Sequence, residues 1–545
     1  MSGPTDHDNQ SPGDQSAGRQ SPGNPVSGGH PPAPKKTSLL RSSSIVSAMT
    51  LFSRIFGLIR DIVVAQYFGT RADPFFVAFK IPNFFRRLFA EGAFSVAFVP
   101  VLSEYRTQRS FDEVKLLIAR VSGVLGAALL AVTVVAILLA DYLPYVFSPG
   151  FRSDPEKFAL TGDLLRITFP YLLFISLAAF SSSVLNAYGR FAIPAFTPVL
   201  LNLVLIAATL FFTGYFEEPL YALAWGVFFA GLFQWAFQLP FLARLGLLTM
   251  PVVRTQDEGV RRITTLMIPA LFGVSVSQIN LLLDTLLASF LESGSVSWLY
   301  YSDRLNNLPM GIFAVAIGVV ILPALSGRHA AQDSAAFART LDWAVRLVFL
   351  IAAPAALALM LLAMPLMSTI FYHGEITAYD IGRMTLSLQA YACGLLAFML
   401  IKVLAPGYYA RQDTKTPVKI GIQAMIVNMV LNLALVGPLD HVGLALATSL
   451  SAYYNVFMLY RGLRKTGVYQ PQTGWGRFLL SLLLANGVLG GISFWLMGAP
   501  SGWLEMDLWA RVGQLSLIVA AGILVYFFIL ALMGLRPRHL RGDLF

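Results

Sequence analysis

A group of ionisable residues stands in or beside long apolar stretches: Arg54, Arg60, Asp61, Lys80, Arg86, Arg87, Glu91, Asp303 and Arg304. A charged side chain at mid-bilayer costs about 2.5–3.5 kcal/mol on insertion scales. Several together argue for a water-filled cavity rather than for contact with lipid. Arg54 and Asp61 lie two helical turns apart and so share a face. Cations outnumber anions in the group, so the cavity should attract an anion. Arginine keeps its charge at any relevant pH and presents a fork that fits phosphate oxygens. The competing reading is structural. Arg60 could pair with a neighbouring carboxylate, and Arg86 and Arg87 could snorkel to an interface.

A second constellation has a different chemistry. Asp284 sits in an otherwise apolar run, Asn428 and Asn432 share one helix face, and Thr448 follows Leu444 by one turn. A carboxylate, amide oxygens, a hydroxyl and a freed backbone carbonyl make a hard-oxygen site for a small monovalent cation such as sodium. Interhelical hydrogen bonding is the alternative use of the same residues. Other chemistry is missing from the sequence. It holds no phosphate-binding loop, no zinc-type spacing and no nucleophile elbow. No cofactor is expected beyond that cation. The six His are scattered; His373 and His441 fall in outside loops and read as solvated. Gly311, Gly318 and Pro323 read as packing or kinking positions.

The elements that must hold these residues follow from composition. The chain is 56% hydrophobic and 12% charged, where soluble domains carry about 25% charged residues. That leaves an all-α polytopic membrane protein. The single cysteine, Cys393, excludes a disulfide scaffold. The apolar runs are continuous rather than alternating, which excludes a membrane barrel. Runs long enough to cross the hydrocarbon fall at 44–68, 74–104, 116–147, 159–187, 195–214, 220–243, 262–291, 296–325, 338–371, 378–408, 417–436, 442–463, 475–498 and 508–534, giving 14 transmembrane helices. Alternate gaps carry the cations, among them Arg106, Arg109 and Lys115; Arg254, Arg261 and Arg262; Arg411, Lys415 and Lys419; and Arg461, Arg464 and Lys465. The other gaps hold only Arg71, Arg152 and Lys157 as cations and carry instead Asp154, Glu217, Glu218, Glu292, Glu375, Asp440, Glu505 and Asp507. The positive-inside rule makes the basic set cytoplasmic, and with it both termini. Residues 1–40 are rich in Gly, Pro, Ser and Gln and read as a disordered cytoplasmic tail.

One common offset pairs Asp61 with Asp284, Ala65 with Ala288, and Val99-Pro100-Val101-Leu102-Ser103 with Leu322-Pro323-Ala324-Leu325-Ser326. The repeat spans six helices, so both copies share an orientation, as in some transporters. This divides the chain into a six-helix lobe at 41–246, a second at 247–466, and a pair of C-terminal helices with a cytoplasmic end at 467–545.

Ser53-Arg54-Ile55-Phe56-Gly57-Leu58-Ile59-Arg60-Asp61 resembles the opening motif of the MurJ (MviN) lipid II flippases, members of the MOP exporter superfamily. Phe79-Lys80-Ile81-Pro82-Asn83, the stretch from Arg86 to Ser95, Gly294 to Trp298, Asp303-Arg304-Leu305 and Ala405 to Gln412 are similar to that family too. The resemblance covers about residues 40–535. It implies 14 helices in the bacterial inner membrane and transport of lipid II, a polyprenyl-pyrophosphate peptidoglycan precursor, from the cytoplasmic to the periplasmic leaflet. It implies cavity-lining roles for Arg54, Arg60, Arg86 and Arg304, a lipid-tail groove at the last two helices, and sodium among Asp284, Asn428, Asn432 and Thr448. Asn432 stands where that sodium pattern would have a carboxylate. The implied partners are lipid II, membrane lipids and cell-wall synthesis proteins, with no nucleic acid and no enzymatic reaction. Two rival readings share the sequence: a flippase for another polyprenyl-pyrophosphate-linked glycan of O-antigen type, and a non-transporting scaffold for cell-wall enzymes.

Overall fold

A computed structural model of the chain describes residues 39–88 and 94–534. Residues 1–38 of the expected tail, Glu91 and residues 535–545 lie outside the described residues. Every regular element among the described residues is helical. The main ones are α1 (Leu39–Phe68), α2 (Asp73–Arg86), α3 (Phe94–Gln108), α4 (Phe111–Leu138), α5 (Pro155–Thr168), α6 (Tyr171–Ala187), α7 (Ala192–Phe211), α8 (Leu220–Ala236), α9 (Glu258–Ser289), α10 (Ser295–Pro309), α11 (Val315–Ala330), α12 (Ser334–Leu361), α13 (Ala363–Phe371), α14 (Ala378–Tyr409), α15 (Lys415–Lys465), α16 (Trp475–Met497) and α17 (Leu508–Leu532).

Helices are the expected outcome for apolar runs, because no water inside a bilayer can satisfy backbone N–H and C=O groups. Polar side chains mark where they start. Ser110 with Glu113 and Thr377 with Asp380 form reciprocal capping boxes at α4 and α14. Asp257, Asp333 and Asp507 cap α9, α12 and α17. At α10 the N-cap is Gly294, which has no side chain to offer.

Among the described residues, nine helices are long and apolar enough to cross a membrane. The elements outside that set include α1, α2, α9 and α10, which hold Arg54, Arg60 and Asp61; Lys80 and Arg86; Asp284; and Asp303 and Arg304. The run expected at 296–325 is not one α-helix. A π-helical turn, Met310–Ala314, joins α10 to α11.

The 51-residue α15 would reach about 75 Å if straight, against a hydrocarbon core of about 30 Å. It is not straight. Asp440 has non-helical backbone angles (φ 48°, ψ −134°), and Gly443 packs directly on the Leu435 backbone. The chain folds back there into two arms, one bearing Asn428 and Asn432 and the other Thr448.

Packing brings the charged helices inward. α1 lies along α7, α2 against α5, and α10 against α14. α9 touches both α3 and α15. α16 and α17 pair with each other, and α16 rests on α12. Lipid supplies little drive for apolar helices to associate, so polar pins matter. Asp342 on α12 accepts from Tyr469 Oη (2.9 Å) and Trp475 Nε1 (2.8 Å) and pairs with Arg346 Nε (2.8 Å). On α17, Arg511 is buried and donates to the carbonyl of Ser368 (2.7 Å). An apolar groove of about 600 Å³ runs beside the α12–α16 contact, lined by Phe349, Leu357, Leu396, Leu479, Leu483 and Asn486 among others.

Candidate functional site

The centre of the charged group is Asp61, which is 1% exposed. Its Oδ1 accepts from Arg60 Nη2 (2.5 Å) and Nε (3.0 Å) and from Tyr300 Oη (3.1 Å). Its Oδ2 accepts from Arg304 Nε at 2.6 Å. Arg60 also donates to Asn202 Oδ1 (3.1 Å) and Tyr300 Oη (2.9 Å). Asn202 in turn donates to the Ser53 carbonyl at 3.0 Å. One carboxylate thus holds two guanidinium groups from helices distant in sequence. Arg60 is buried, while the Arg304 side chain is 38% exposed. Arg304 therefore keeps donors free for a ligand, whereas Arg60 is committed to protein groups.

Arg54 differs from both. It makes no hydrogen bond or ion pair among the described residues, and its Nε is buried without a partner. A buried donor left unmet costs about 1–3 kcal/mol, more when charged. Lys80 on α2 lies within electrostatic reach of Asp303 and Asp284. Arg86 donates from Nε to Asn83 Oδ1 (3.0 Å), and Arg87 from Nη1 to Gln278 Oε1 (3.4 Å). The structure therefore gathers Arg54, Arg60, Asp61 and Arg304 around the α1–α10 contact, and links Lys80 electrostatically to Asp303 and Asp284. Arg87 also lies within electrostatic reach of Lys80 and Asp303, and Glu91 lies outside the described residues.

Near the C-terminal end of α1 and the N-terminal end of α10 the chain makes a second polar junction that sequence reading missed. The Asp73 carboxylate is buried and accepts from the backbone N–H groups of Gly294 and Ser297 (both 2.8 Å) and from Ser297 Oγ (2.6 Å). It supplies to α10 the cap that Gly294 cannot. Lys157 bridges the same carboxylate (2.9 Å) and Ser293 Oγ (2.9 Å). Beside it, Arg71 pairs with Glu375 at 2.6 Å, and the Glu375 N–H donates to the Gln66 carbonyl at 3.1 Å. Asn202, Tyr300, Asp73 and Lys157 are ordinary polar residues in the sequence. The signal was weak: an Asp before Pro74, and Lys157 in a gap that also carries Arg152, Asp154 and Glu156.

The second constellation also converges. Asn432 Nδ2 donates to Asp284 Oδ1 (2.7 Å) and to Asn428 Oδ1 (3.0 Å). Asn428 Nδ2 donates to Thr448 Oγ1 at 3.3 Å, and Thr448 donates to the Leu444 carbonyl at 3.0 Å. Asn428 and Asn432 are buried, and Asn432 Oδ1 has no hydrogen-bond partner among the described residues. No group of three or more His, Cys or acidic residues placed to hold a metal occurs among the described residues. Within this constellation Asp284 is the carboxylate, with Asp303 in electrostatic reach. One expectation is corrected nearby. His441 is not solvated but fully buried, with Nε2 at 3.1 Å from the Arg383 carbonyl and its ring 5.0 Å from that of Trp298. The reversal at Asp440 tucks it beneath the turn.

A family model described as Lipid II flippase MurJ matches residues 64–512. The chain belongs to the MurJ family. Its relatives include a probable lipid II flippase MurJ of Vibrio cholerae serotype O1, 49% identical over 92% of this chain and 98% of the relative. Another is the lipid II flippase MurJ of Burkholderia cenocepacia, 42% identical over 92% and 99%. Among solved structures, a MurJ lipid II flippase in an inward closed conformation aligns at TM-score 0.76 and 27% identity, covering 90% of this chain and 98% of that one. An inward-facing multidrug transporter of the MATE family and MOP superfamily aligns at TM-score 0.63 and 13% identity, over 78% and 98%. That second likeness shows a shared fold and no more. The matched segment includes Arg304 and begins just after Arg54, Arg60 and Asp61, which the fold brings to the α1–α10 contact.

Proposed function

We propose that this chain is a transporter that flips lipid II from the cytoplasmic to the periplasmic leaflet of the inner membrane by alternating access. The observation that carries the reading is the Arg54–Asp61–Arg304 group, a net-cationic cluster among apolar helices, in a chain whose relatives are named as lipid II flippases. Arg304, partly solvated, and Arg54, without a hydrogen bond or ion pair among the described residues, are the guanidinium groups available to a pyrophosphate. Asp61 holds Arg304 and Arg60 in place and limits their repulsion while no substrate is bound. The apolar groove beside α16 suits a polyprenyl tail, so that only the headgroup crosses the polar cavity.

The reading also includes 14 crossings, two six-helix lobes and both termini in the cytoplasm. It is supported by the alternating loop charges, the repeat and the folded-back α15. The junction at Asp73 then lies on the periplasmic side and holds the two lobes together there. Energy comes from the membrane potential or an ion gradient. The residues around Asp284 fit a small monovalent cation, since Asn432 Oδ1 is buried and unpartnered beside a carboxylate. A cation bound there supplies a positive charge that offsets Asp284. Asn428 orients the Asn432 amide, and Thr448 is oriented by the Leu444 carbonyl. Exchange with cell-wall synthesis proteins at the periplasmic face completes the proposal.

The test is depletion followed by measurement of lipid II in each leaflet. Trapping in the inner leaflet is expected, with rescue by the wild-type chain but not by Arg54→Ala at equal membrane levels. Full rescue by Arg54→Ala would remove that residue from the substrate site.

A further inference from the structure

Helices α1 and α10 exchange an unusual contact with the segment that follows α10. A Cβ added to Gly311 would overlap the guanidinium of Arg54 at Nη1, Cζ and Nη2 together. The planar head therefore lies over the backbone of Gly311 in van der Waals contact. The reciprocal pair is looser: a Cβ on Gly57 would stand 2.7 Å from Arg304 Nη2, touching only the tip of the head. Gly311 belongs to the π-helical turn Met310–Ala314. Such a turn widens the helix locally and recurs at functional positions. Gly311 is itself buried, and Arg54 has no hydrogen bond or ion pair among the described residues. Arg304 is held by Asp61; Arg54 is held by shape alone.

We infer that Gly311 is a positioning residue that acts through Arg54, providing the seat its guanidinium occupies when the carrier is empty. The inference rests on the reading that Arg54 binds the substrate's anionic headgroup. Loaded, the carrier pairs that guanidinium with phosphate oxygens. Empty, it must bring helices of opposite lobes together around a charge that has no counter-ion among the described residues. A side chain at position 311 would wedge the guanidinium between α1 and the π-turn. A glycine leaves room for the flat head. The seat therefore serves the return of the empty carrier rather than the binding of substrate. The obstacle created by Gly311→Ala is the far end of a flexible side chain, so folding should be little affected. A purely structural role would give a defect that Arg54→Ala does not reverse.

The experiment uses full-length protein with Cys393→Ser, spin-labelled at two exposed positions on either side of the contact, Leu51 and Leu322. Interspin distances are recorded without substrate in lipid nanodiscs, alongside lipid II affinity and flipping turnover in vesicles. Gly311→Ala should lower the population with the short α1–α11 distance at least tenfold. It should cut turnover by a similar factor and leave lipid II affinity within about twofold. Adding Arg54→Ala to Gly311→Ala should restore the short-distance population, because the obstructing head is gone. An unchanged distance distribution in Gly311→Ala overturns the inference. So does a shift that Arg54→Ala fails to reverse, which would assign the glycine to backbone packing. Retained flipping and affinity in the Arg54→Ala single variant would instead defeat the substrate-site reading beneath it.

Discussion

Asp61→Asn keeps the shape of the central side chain and removes its charge. Breaking a buried ion pair from one side costs about 3–5 kcal/mol, because the remaining charge is left uncompensated. The two arginines on Asp61 should not share that cost equally. Arg60 is 6% exposed and retains only neutral acceptors, Asn202 and Tyr300. Arg304 has a side chain 38% exposed and can recover hydration. The total should fall near the low end, about 3 kcal/mol. With unfolding entropies of about 2 cal/mol/K per residue, that is a drop of about 3 °C in the thermal midpoint for a chain this long. The sharper measurement is a pair of double-mutant cycles in detergent. Asp61→Asn with Arg60→Gln should show a coupling of about 3 kcal/mol. Asp61→Asn with Arg304→Gln should show about 1 kcal/mol, as for solvent-touching pairs. Equal couplings, or a larger one for Arg304, would refute the assignment of Arg60 as structural and Arg304 as available to substrate.

Cysteines placed at Glu217, Glu292 and Glu505, with Cys393 removed, should react with a membrane-impermeant reagent in intact cells; labelling at position 464 but not 292 would reverse the orientation. Asp73→Asn should lose the Lys157 pair and weaken the cap on α10, worth about 1–2 kcal/mol. A cysteine at Thr70 should then label faster from outside, and an unchanged rate would show that Asp73 does not hold that end closed. Sodium should raise the thermal midpoint relative to a large organic cation at matched ionic strength, and Asp284→Ala should abolish the difference. Equal midpoints in the two cations would leave Asp284 as a hydrogen-bonding residue.

What could be read from the sequence was whatever is expensive in a membrane. Arg54, Arg60, Asp61 and Arg304 stood out because charge in apolar sequence demands a reason, and the structure brings them together. Asp284, Asn428, Asn432 and Thr448 were legible for the same cause. Partners across the fold were not. Asn202 is an unremarkable amide until α7 lies along α1 and places it on Arg60. Asp73 reads as the start of its own helix, yet its carboxylate serves α10, whose N-terminus ends in a glycine. His441 was misjudged because a loop position suggests water. The reversal at Asp440 needs a left-handed φ at a non-glycine residue, which no periodicity reveals. The π-turn under Arg54 was equally silent, since Gly311 in an apolar run looks like any packing glycine.

The offset that aligns Asp61 with Asp284 allows a comparison of two carboxylates in different company. Each receives a short hydrogen bond from a neighbouring element and has an asparagine amide close by. At Asp61 the preceding residue is Arg60, and its guanidinium occupies the space between Asp61 Oδ1 and Asn202 Oδ1. At Asp284 the preceding residue is Leu283, which can supply no such charge. The first carboxylate thus carries a covalently tethered cation that cannot leave. The second faces an asparagine whose oxygen has no partner, with Lys80 of α2 as the nearby ammonium group. A ligand biases a two-state carrier only if it binds the states unequally. In the proposed two-lobe reading Lys80 and Asp284 belong to opposite lobes, and movement between them would alter the field at Asp284. The field at Asp61 from Arg60 stays constant because the two are adjacent in the chain. Asp61 also pairs with Arg304 of α10 across the same proposed boundary, so movement there changes both fields. But Asp61 keeps its tethered Arg60 throughout, and in the proposed reading that leaves Asp284 as the carboxylate open to a mobile cation.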